Sequence, residues 1–156
     1  MENKRLLQAY HTIDSGALKV LSVDLFDTLL WRKTPLPKDV FLLVGRKLLQ
    51  EGWLIPAVTA EGFAELRETG ELNARQEKSY FQQTREVTLS EIYWQLKNLF
   101  KPLSLQEMLD GKSKGIYEYD VSGPVGIELS IEKKLIQFDV DILELLHYAD
   151  KRNITL

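Results

Sequence analysis

The spacing of apolar residues changes near the N-terminus, and the change marks two different predicted elements. Apolar residues between Leu6 and Ile13 recur on one face of a predicted helix, which closes at Gly16 because glycine suits a left-handed C-terminal cap. Residues 20–23 then form a short, mostly apolar run bounded by turn-forming residues. Such a run predicts a strand that is covered on both faces of a parallel sheet. It stops at Asp24.

From residue 34 onward the apolar spacing is helical almost to the end of the chain. Thr88-Leu89-Ser90-Glu91 matches a capping box, and apolar residues follow it at helical intervals. The glycine-containing stretch 112–126 is interpreted as mostly loop. The predicted helices span residues 39–52, 59–78, 88–99, 104–110, 127–135 and 142–149.

Strand character returns at residues 154–156, so the order strand, helical insertion, helix, strand predicts a right-handed crossover in a parallel sheet. The expected fold class is α/β. Residues 1–33 hold the first helix and strand, 34–126 a helical insertion, and 127–156 the return helices and the start of a second core strand. Two strands are too few to be stable alone, so more strands are expected from a longer parent protein or a partner. The exposed sheet edge also predicts a possible homodimer.

Composition narrows the classes of function. The chain has 20 basic and 23 acidic residues, and this balance argues against a nucleic-acid surface. It has no cysteine, which excludes disulfides and thiolate metal sites, and its two histidines lie far apart in sequence. No apolar stretch reaches the roughly 18 to 20 residues that span a membrane, and the N-terminus lacks the apolar core of a signal peptide. The chain is therefore expected to be cytoplasmic.

The carboxylates that follow the first predicted strand are the main candidates for chemistry. Ligands bind at the carboxyl ends of parallel strands, and Asp24 is placed at such an end. Its carboxylate could bind a divalent cation or act as a nucleophile, with the Thr28 hydroxyl holding it by a hydrogen bond. The alternative is structural, because acids at strand ends are often turn formers or helix N-caps.

The stretch SVDLFDTLLWR resembles the first motif of the haloacid-dehalogenase-like (HAD) superfamily. The resemblance implies that Asp24 is the nucleophile, that Thr28 is the motif's threonine, and that Asp24 and the Phe26 carbonyl contribute to a Mg²⁺ site. A subgroup with an FDxFDTLL-type motif, often found beside or fused to bacterial glycosyltransferases, is the nearest in pattern. The segments that also resemble it are 67–75, 86–93 and 128–132.

This resemblance implies a HAD-like Rossmannoid core, of which the chain holds the first strands, and a helical cap that helps to choose the substrate. The full-length protein is then expected to hydrolyse a phosphate ester through an aspartyl-phosphate, on a phosphorylated small molecule or sugar. The family's second motif, its lysine and its later acidic pair have no counterpart before Leu156. The chain therefore resembles an N-terminal half, in which Mg²⁺ binding is expected to be weak or absent and activity low.

One departure from the family's pattern leaves a second function open. Phosphatases of the superfamily carry a proton-transferring aspartate where this chain has Phe26, and Asp27 lies one residue later, at a position usually held by glycine. Either Asp27 substitutes as the proton donor or it only forms the turn. Loss of proton transfer costs roughly 100- to 10,000-fold in rate. The alternative function is accordingly a non-catalytic HAD-like binding or scaffold module.

Three arginines in the helical region could face an anionic substrate: Arg67, Arg75 and Arg85. Arginine on a polar helix is more often solvated or half of a weak surface ion pair, and that interpretation is preferred.

Overall fold

A computed structural model describes residues 4–156 of the chain and shows a mostly helical protein. A short 3₁₀ turn, Lys97–Leu99, follows the fourth helix. The elements are α1 Lys4–Asp14, β1 Leu30–Arg32, α2 Pro37–Glu51, α3 Ala60–Gln82, α4 Leu89–Gln95, α5 Leu105–Asp110, α6 Ser122–Leu135, β2 Ile136–Phe138 and α7 Val140–Asp150.

The predicted α/β fold with a Rossmannoid core is wrong. Helices account for 59% of the described residues and strands, with isolated bridge residues included, for 9%. The only sheet among residues 4–156 is the antiparallel pair β1–β2, in which Leu30 lies opposite Phe138. Residues 20–23 are extended but do not form a strand. They make a single parallel bridge, Val20 to Thr155, in the predicted direction.

No parallel strand forms here because this bridge has few hydrogen bonds and little apolar cover. Only two hydrogen bonds support it, from the Leu21 N–H to the Thr155 carbonyl at 2.8 Å and from the Thr155 N–H to the Lys19 carbonyl at 3.0 Å. Val20 is 60% exposed, so the apolar run is not covered on both faces as a buried parallel strand would be. The apolar pattern of residues 20–23 predicted this segment and its pairing partner. The described residues contain no neighbouring strands that would complete a parallel sheet.

The chain forms two compact units. One contains the residues up to Lys33 together with Leu135–Leu156, and the other contains Thr34–Lys134. For comparison, the insertion predicted from the sequence spans residues 34–126. In the first unit α1 packs against α7, with Tyr10 and Tyr148 in edge-to-face contact at 4.8 Å between ring centroids. Its fully buried apolar residues are Ile13, Leu145, Ala149 and Ile154.

The 34–134 unit holds the larger core, built from α2, α3 and α4. Its largest fully buried side chains include Tyr93, Phe63 and Leu48. Helices α2 and α3 approach closely at Gly45, where an added Cβ would lie 2.7 Å from the Ala60 carbonyl oxygen. Within residues 4–156, no helix has the length and apolar character needed to cross a membrane.

Candidate functional site

The predicted catalytic residues lie in and beside one hydrogen-bonded turn that leads into β1. The N–H groups of Leu29 and Leu30 both donate to the Leu25 carbonyl, at 3.1 and 2.7 Å, and the Asp27 N–H donates to the Leu30 carbonyl at 2.9 Å. These bonds fold residues 25–30 back on themselves. Asp24 therefore lies directly before a fixed turn.

The two carboxylates of this segment, Asp24 and Asp27, are both exposed to solvent. Among the side chains of residues 4–156, neither has a hydrogen-bond or ion-pair partner. Thr28 is half-buried. The expected hydrogen bond from its hydroxyl to Asp24 is not formed within the described part of the chain. The Asp24 carboxylate is thus open to a ligand but is not held in one rotamer by Thr28.

Asp27 occupies a turn position. Its backbone φ is 57°, in the left-handed region that aspartate tolerates better than most residues. The geometry supports the turn-forming interpretation of Asp27, although its exposed carboxylate lies close to Asp24 in sequence.

Phe26 places an aromatic ring beside the two carboxylates of this turn. The ring is 48% exposed, and the Arg32 guanidinium carbon lies 5.2 Å from its centroid, within the range of a cation–π contact. A phenyl ring transfers no proton. The site therefore has a charged nucleophile candidate and a nearby cation, but no acid at this position.

The residues of this turn do not by themselves fit a protein-held Mg²⁺ site. They offer the Asp24 carboxylate and the Phe26 carbonyl, which accepts none of the backbone hydrogen bonds that close the turn. Mg²⁺ prefers six oxygen ligands in octahedral geometry. No cluster of three or more candidate ligands occurs within residues 4–156. One carboxylate and one backbone carbonyl are too few ligand groups, and the exposed Asp27 carboxylate would still leave an octahedral shell incomplete, so no chemical step is assigned to the ion.

The 34–134 unit contains a buried ionic network that the sequence interpretation missed. Arg67 on α3 and Glu128 on α6 are each 3% exposed and form a bidentate pair, with Nε–Oε2 and Nη2–Oε1 distances of 3.1 and 2.8 Å. The Tyr93 hydroxyl donates to the same carboxylate at 2.7 Å, and Glu71 accepts a further bond from Arg67 at 3.1 Å. The interpretation of Arg67 as a solvated charge is wrong.

Two electrostatic effects follow from this burial. Burial, together with the negative charge of Glu128 and the hydrogen bond to it, raises the pKa of Tyr93 well above its usual value. Burial alone would lower the pKa of Arg67, but the hydrogen bond and charge of Glu128 raise it above its usual value. Both groups therefore keep their protons at neutral pH.

A signal for this network was present in the sequence. Arg67 lies in the middle of a helical stripe of small or apolar residues on α3, and all of its members are buried: Ala60, Phe63, Gly70 and Ala74. A charge at the centre of such a stripe needs a buried partner. The partner is 61 residues away, which is why spacing along α3 alone could not identify it.

No protein-family model matches the chain, and no curated protein matches it significantly in sequence. The resemblance of residues 22–32 to the HAD superfamily therefore stays a prediction.

Proposed function

We propose that the chain supplies the nucleophilic carboxylate, Asp24, of a site that hydrolyses phosphate esters of small molecules or sugars. The observation that carries this proposal is an exposed carboxylate with no partner among the described side chains, directly before a turn closed by three backbone hydrogen bonds. A free carboxylate on a fixed backbone can approach a phosphorus atom without first breaking an ion pair. The remaining groups of such a site are assigned to additional sequence or to a partner.

The reaction has two steps. A carboxylate oxygen of Asp24 forms a bond to phosphorus while the ester P–O bond breaks, and the leaving oxygen takes a proton from water, which leaves hydroxide in solution. Water then attacks the phosphorus of the aspartyl-phosphate, the bond to Asp24 breaks, and inorganic phosphate leaves as the carboxylate is restored and the proton of the attacking water neutralises the hydroxide. Because Phe26 cannot protonate the leaving group, esters of acidic alcohols such as phenols should react faster than alkyl esters.

The test measures how fast the whole polypeptide that the cell produces hydrolyses p-nitrophenyl phosphate and an alkyl phosphate. Each rate is measured with Mg²⁺ and with EDTA. Replacing Asp24 by Asn removes the nucleophile and should lower kcat/KM by about 10³-fold or more. The matched control is Asp141→Asn, which neutralises another exposed carboxylate of the same unit and should leave the rate within about twofold. Equal rates for Asp24→Asn and the unchanged protein would reject the proposal.

Asp27→Asn decides the role of the second carboxylate. If Asp27 only forms the turn, the substitution should change the rate little, because asparagine also tolerates the left-handed conformation. A loss of about 100-fold, larger for the alkyl ester than for the aryl ester, would show that Asp27 donates the proton.

The aromatic ring of Phe26 favours a second candidate, a binding module without turnover. Its exposed face and the neighbouring Arg32 suit recognition of an anionic ligand more than proton transfer. This function predicts no hydrolysis of either ester, with phosphate-ester binding that Asp24→Asn leaves intact. Binding measured by isothermal titration calorimetry distinguishes it from the catalytic proposal.

A further inference from the structure

The 34–134 unit contains a cavity of about 450 Å³ that lies outside the Asp24 turn. Its floor includes the side chains of Phe100 and Ile116, which are 2% and 4% exposed. Five of its ten lining residues are apolar and five carry polar groups. Cavities of this size that combine apolar contacts with convergent polar groups are a usual form of small-molecule site. We infer that this cavity binds a small aromatic anion, and this inference does not depend on the proposed function.

The floor of the cavity is rigid because three extended segments are joined by backbone hydrogen bonds. Lys101 donates to the Trp53 carbonyl at 2.9 Å, and its own carbonyl accepts from the Ile116 N–H at 2.8 Å. The segments that contain Lys101 and Gly115 are so close that a Cβ at Gly115 would lie 2.4 Å from the Lys101 carbonyl oxygen. Only glycine permits this approach. A preformed floor reduces the conformational entropy lost when a ligand binds.

One wall of the cavity is a turn that places Tyr119 in a strained conformation. The Asp120 N–H donates to the Tyr117 carbonyl at 2.9 Å, and the two central residues, Glu118 and Tyr119, have φ values of 49° and 63°. Turns with two left-handed central residues strongly favour asparagine and glycine. Tyr119 therefore adopts a backbone conformation that tyrosine disfavours. Strained backbone of this kind clusters at active sites, ligand clamps and switch regions.

The positive charge of Lys97 indicates that the ligand is an anion. Its ammonium nitrogen lies 4.2 Å from the Trp94 ring centroid and 5.8 Å from that of Tyr119, and both rings are exposed. Among the described residues it has no carboxylate partner. Cation–π contacts position an ammonium without neutralising it. Lys97 can therefore pair with a ligand anion while the apolar floor and the Tyr119 ring contact an aromatic body.

Glu118 is the opposing charge at this cavity. A hydrogen bond with Glu118 raises the pKa of Tyr117, so this carboxylate already has a donor on the same turn. It should repel an anionic ligand, and its removal should strengthen binding. A gain in affinity when Glu118 is removed distinguishes a specific anion site from non-specific adsorption to exposed aromatic rings.

The probe is naphthalene-2-carboxylate, with naphthalene-2-methanol as its neutral analogue, and binding is followed by ¹⁵N NMR titration of the full chain. The expected result is saturable binding of the carboxylate with Kd of about 10⁻⁴ to 10⁻³ M, as ligand efficiency gives for a probe of this size. The amides that shift should lie in residues 97–103 and 115–119. Absence of saturation, or shifts centred elsewhere, overturns the inference.

Three substitutions test the assigned contacts. Lys97→Met should weaken the carboxylate about 10-fold and leave the alcohol unchanged, because only the charge is lost. Glu118→Gln should tighten the carboxylate. Tyr119→Asn, which keeps a residue that accepts positive φ, should weaken both probes and raise the melting temperature.

The control is Lys112→Met, an exposed lysine that does not line this cavity. It should change neither affinity by more than about twofold. Equal affinity of Lys97→Met and the unchanged chain for the carboxylate would overturn the anionic part of the assignment.

Discussion

The buried pair of Arg67 and Glu128 is the position where one charge should matter most for stability. Glu128→Gln keeps the side-chain shape but leaves the guanidinium of Arg67 without its bidentate partner at 3% exposure. Removing one partner of a buried pair typically lowers the free energy of unfolding by about 3–5 kcal/mol. Urea unfolding followed by circular dichroism measures the change.

The matched control is Glu51→Gln, which removes a carboxylate from the more exposed pair with Lys47 at 3.0 Å. Exposed pairs of this kind contribute about 0–1 kcal/mol, so the control should be close to the unchanged chain. If the two variants lose similar amounts of stability, Glu71 alone compensates the charge of Arg67 and the pair is not central to the fold.

Single residues also show how far sequence reasoning could reach. Spacing alone could select Asp24, Asp27 and Thr28 as candidates, because the motif is local, but their role in catalysis stays a prediction. Their hydrogen bonding could not be predicted, since it depends on how the turn closes. Arg67 was misjudged because its partner comes from a distant helix.

At the scale of elements, the capping box of α4 allows a pH prediction. The ion pair with Lys78, the Thr88 N–H and the Thr88 hydroxyl lower the pKa of Glu91 to about 2. The carboxylate is therefore favoured in the folded state. Its stabilising contribution is present above pH 4.5, the usual value, and is lost as the pH falls from 4.5 through about 2.

Carboxyl ¹³C NMR titration should place the midpoint of Glu91 near 2, and Lys78→Met should raise it. Glu107 provides the control, because Ser104 lowers its pKa in a similar capping box without a lysine in contact. Its midpoint should not respond to Lys78→Met. A Glu91 midpoint near 4.5 in the unchanged chain would contradict the cap geometry.

Two glycines within helices should respond to alanine in opposite directions. At Gly126 on α6 a Cβ would meet nothing within 4 Å, so Gly126→Ala should raise stability by about 0.5–1 kcal/mol through helix propensity. At Gly45 on α2 the Cβ would lie 2.7 Å from the Ala60 carbonyl oxygen, so Gly45→Ala should lower it by about 1–3 kcal/mol. Thermal unfolding of both variants tests this, and stabilisation by Gly45→Ala would disprove the close packing of α2 on α3.

The helices were more predictable than the strands because caps are local. The Thr88–Glu91 capping box was predicted correctly, and so were the approximate bounds of α2, which ends at Glu51, and of α5, which spans Leu105–Asp110. Residues 122–126 were wrongly interpreted as loop, although proline is tolerated in the first turn of a helix and α6 begins at Ser122. The pairing of β1 with β2 joins segments separated by the whole helical unit, and no local pattern reveals it.

At the scale of the whole molecule, the two units should differ in stability. The unit formed by residues up to Lys33 and Leu135–Leu156 buries a small cluster around Leu145, whereas the 34–134 unit buries most of the core. Leu145→Ala should destabilise the smaller unit by about 2–5 kcal/mol, since it leaves a cavity in that cluster. By hydrogen exchange, amides of α1 and α7 should then exchange about 10²-fold faster or more, while those of α3 keep their protection.

The larger unit should also be stable on its own. A polypeptide of residues 34–134 should keep its helical circular dichroism and unfold in urea in one cooperative transition, because its buried side chains lie within that range. Trp53 and Trp94 report on this unit, whereas Trp31 lies in the other. Loss of cooperativity in the fragment, with faster exchange in α3 of Leu145→Ala, would mean that the two units are stable only together. Any assay of Asp24 would then require the 34–134 unit to be present for the smaller unit to fold.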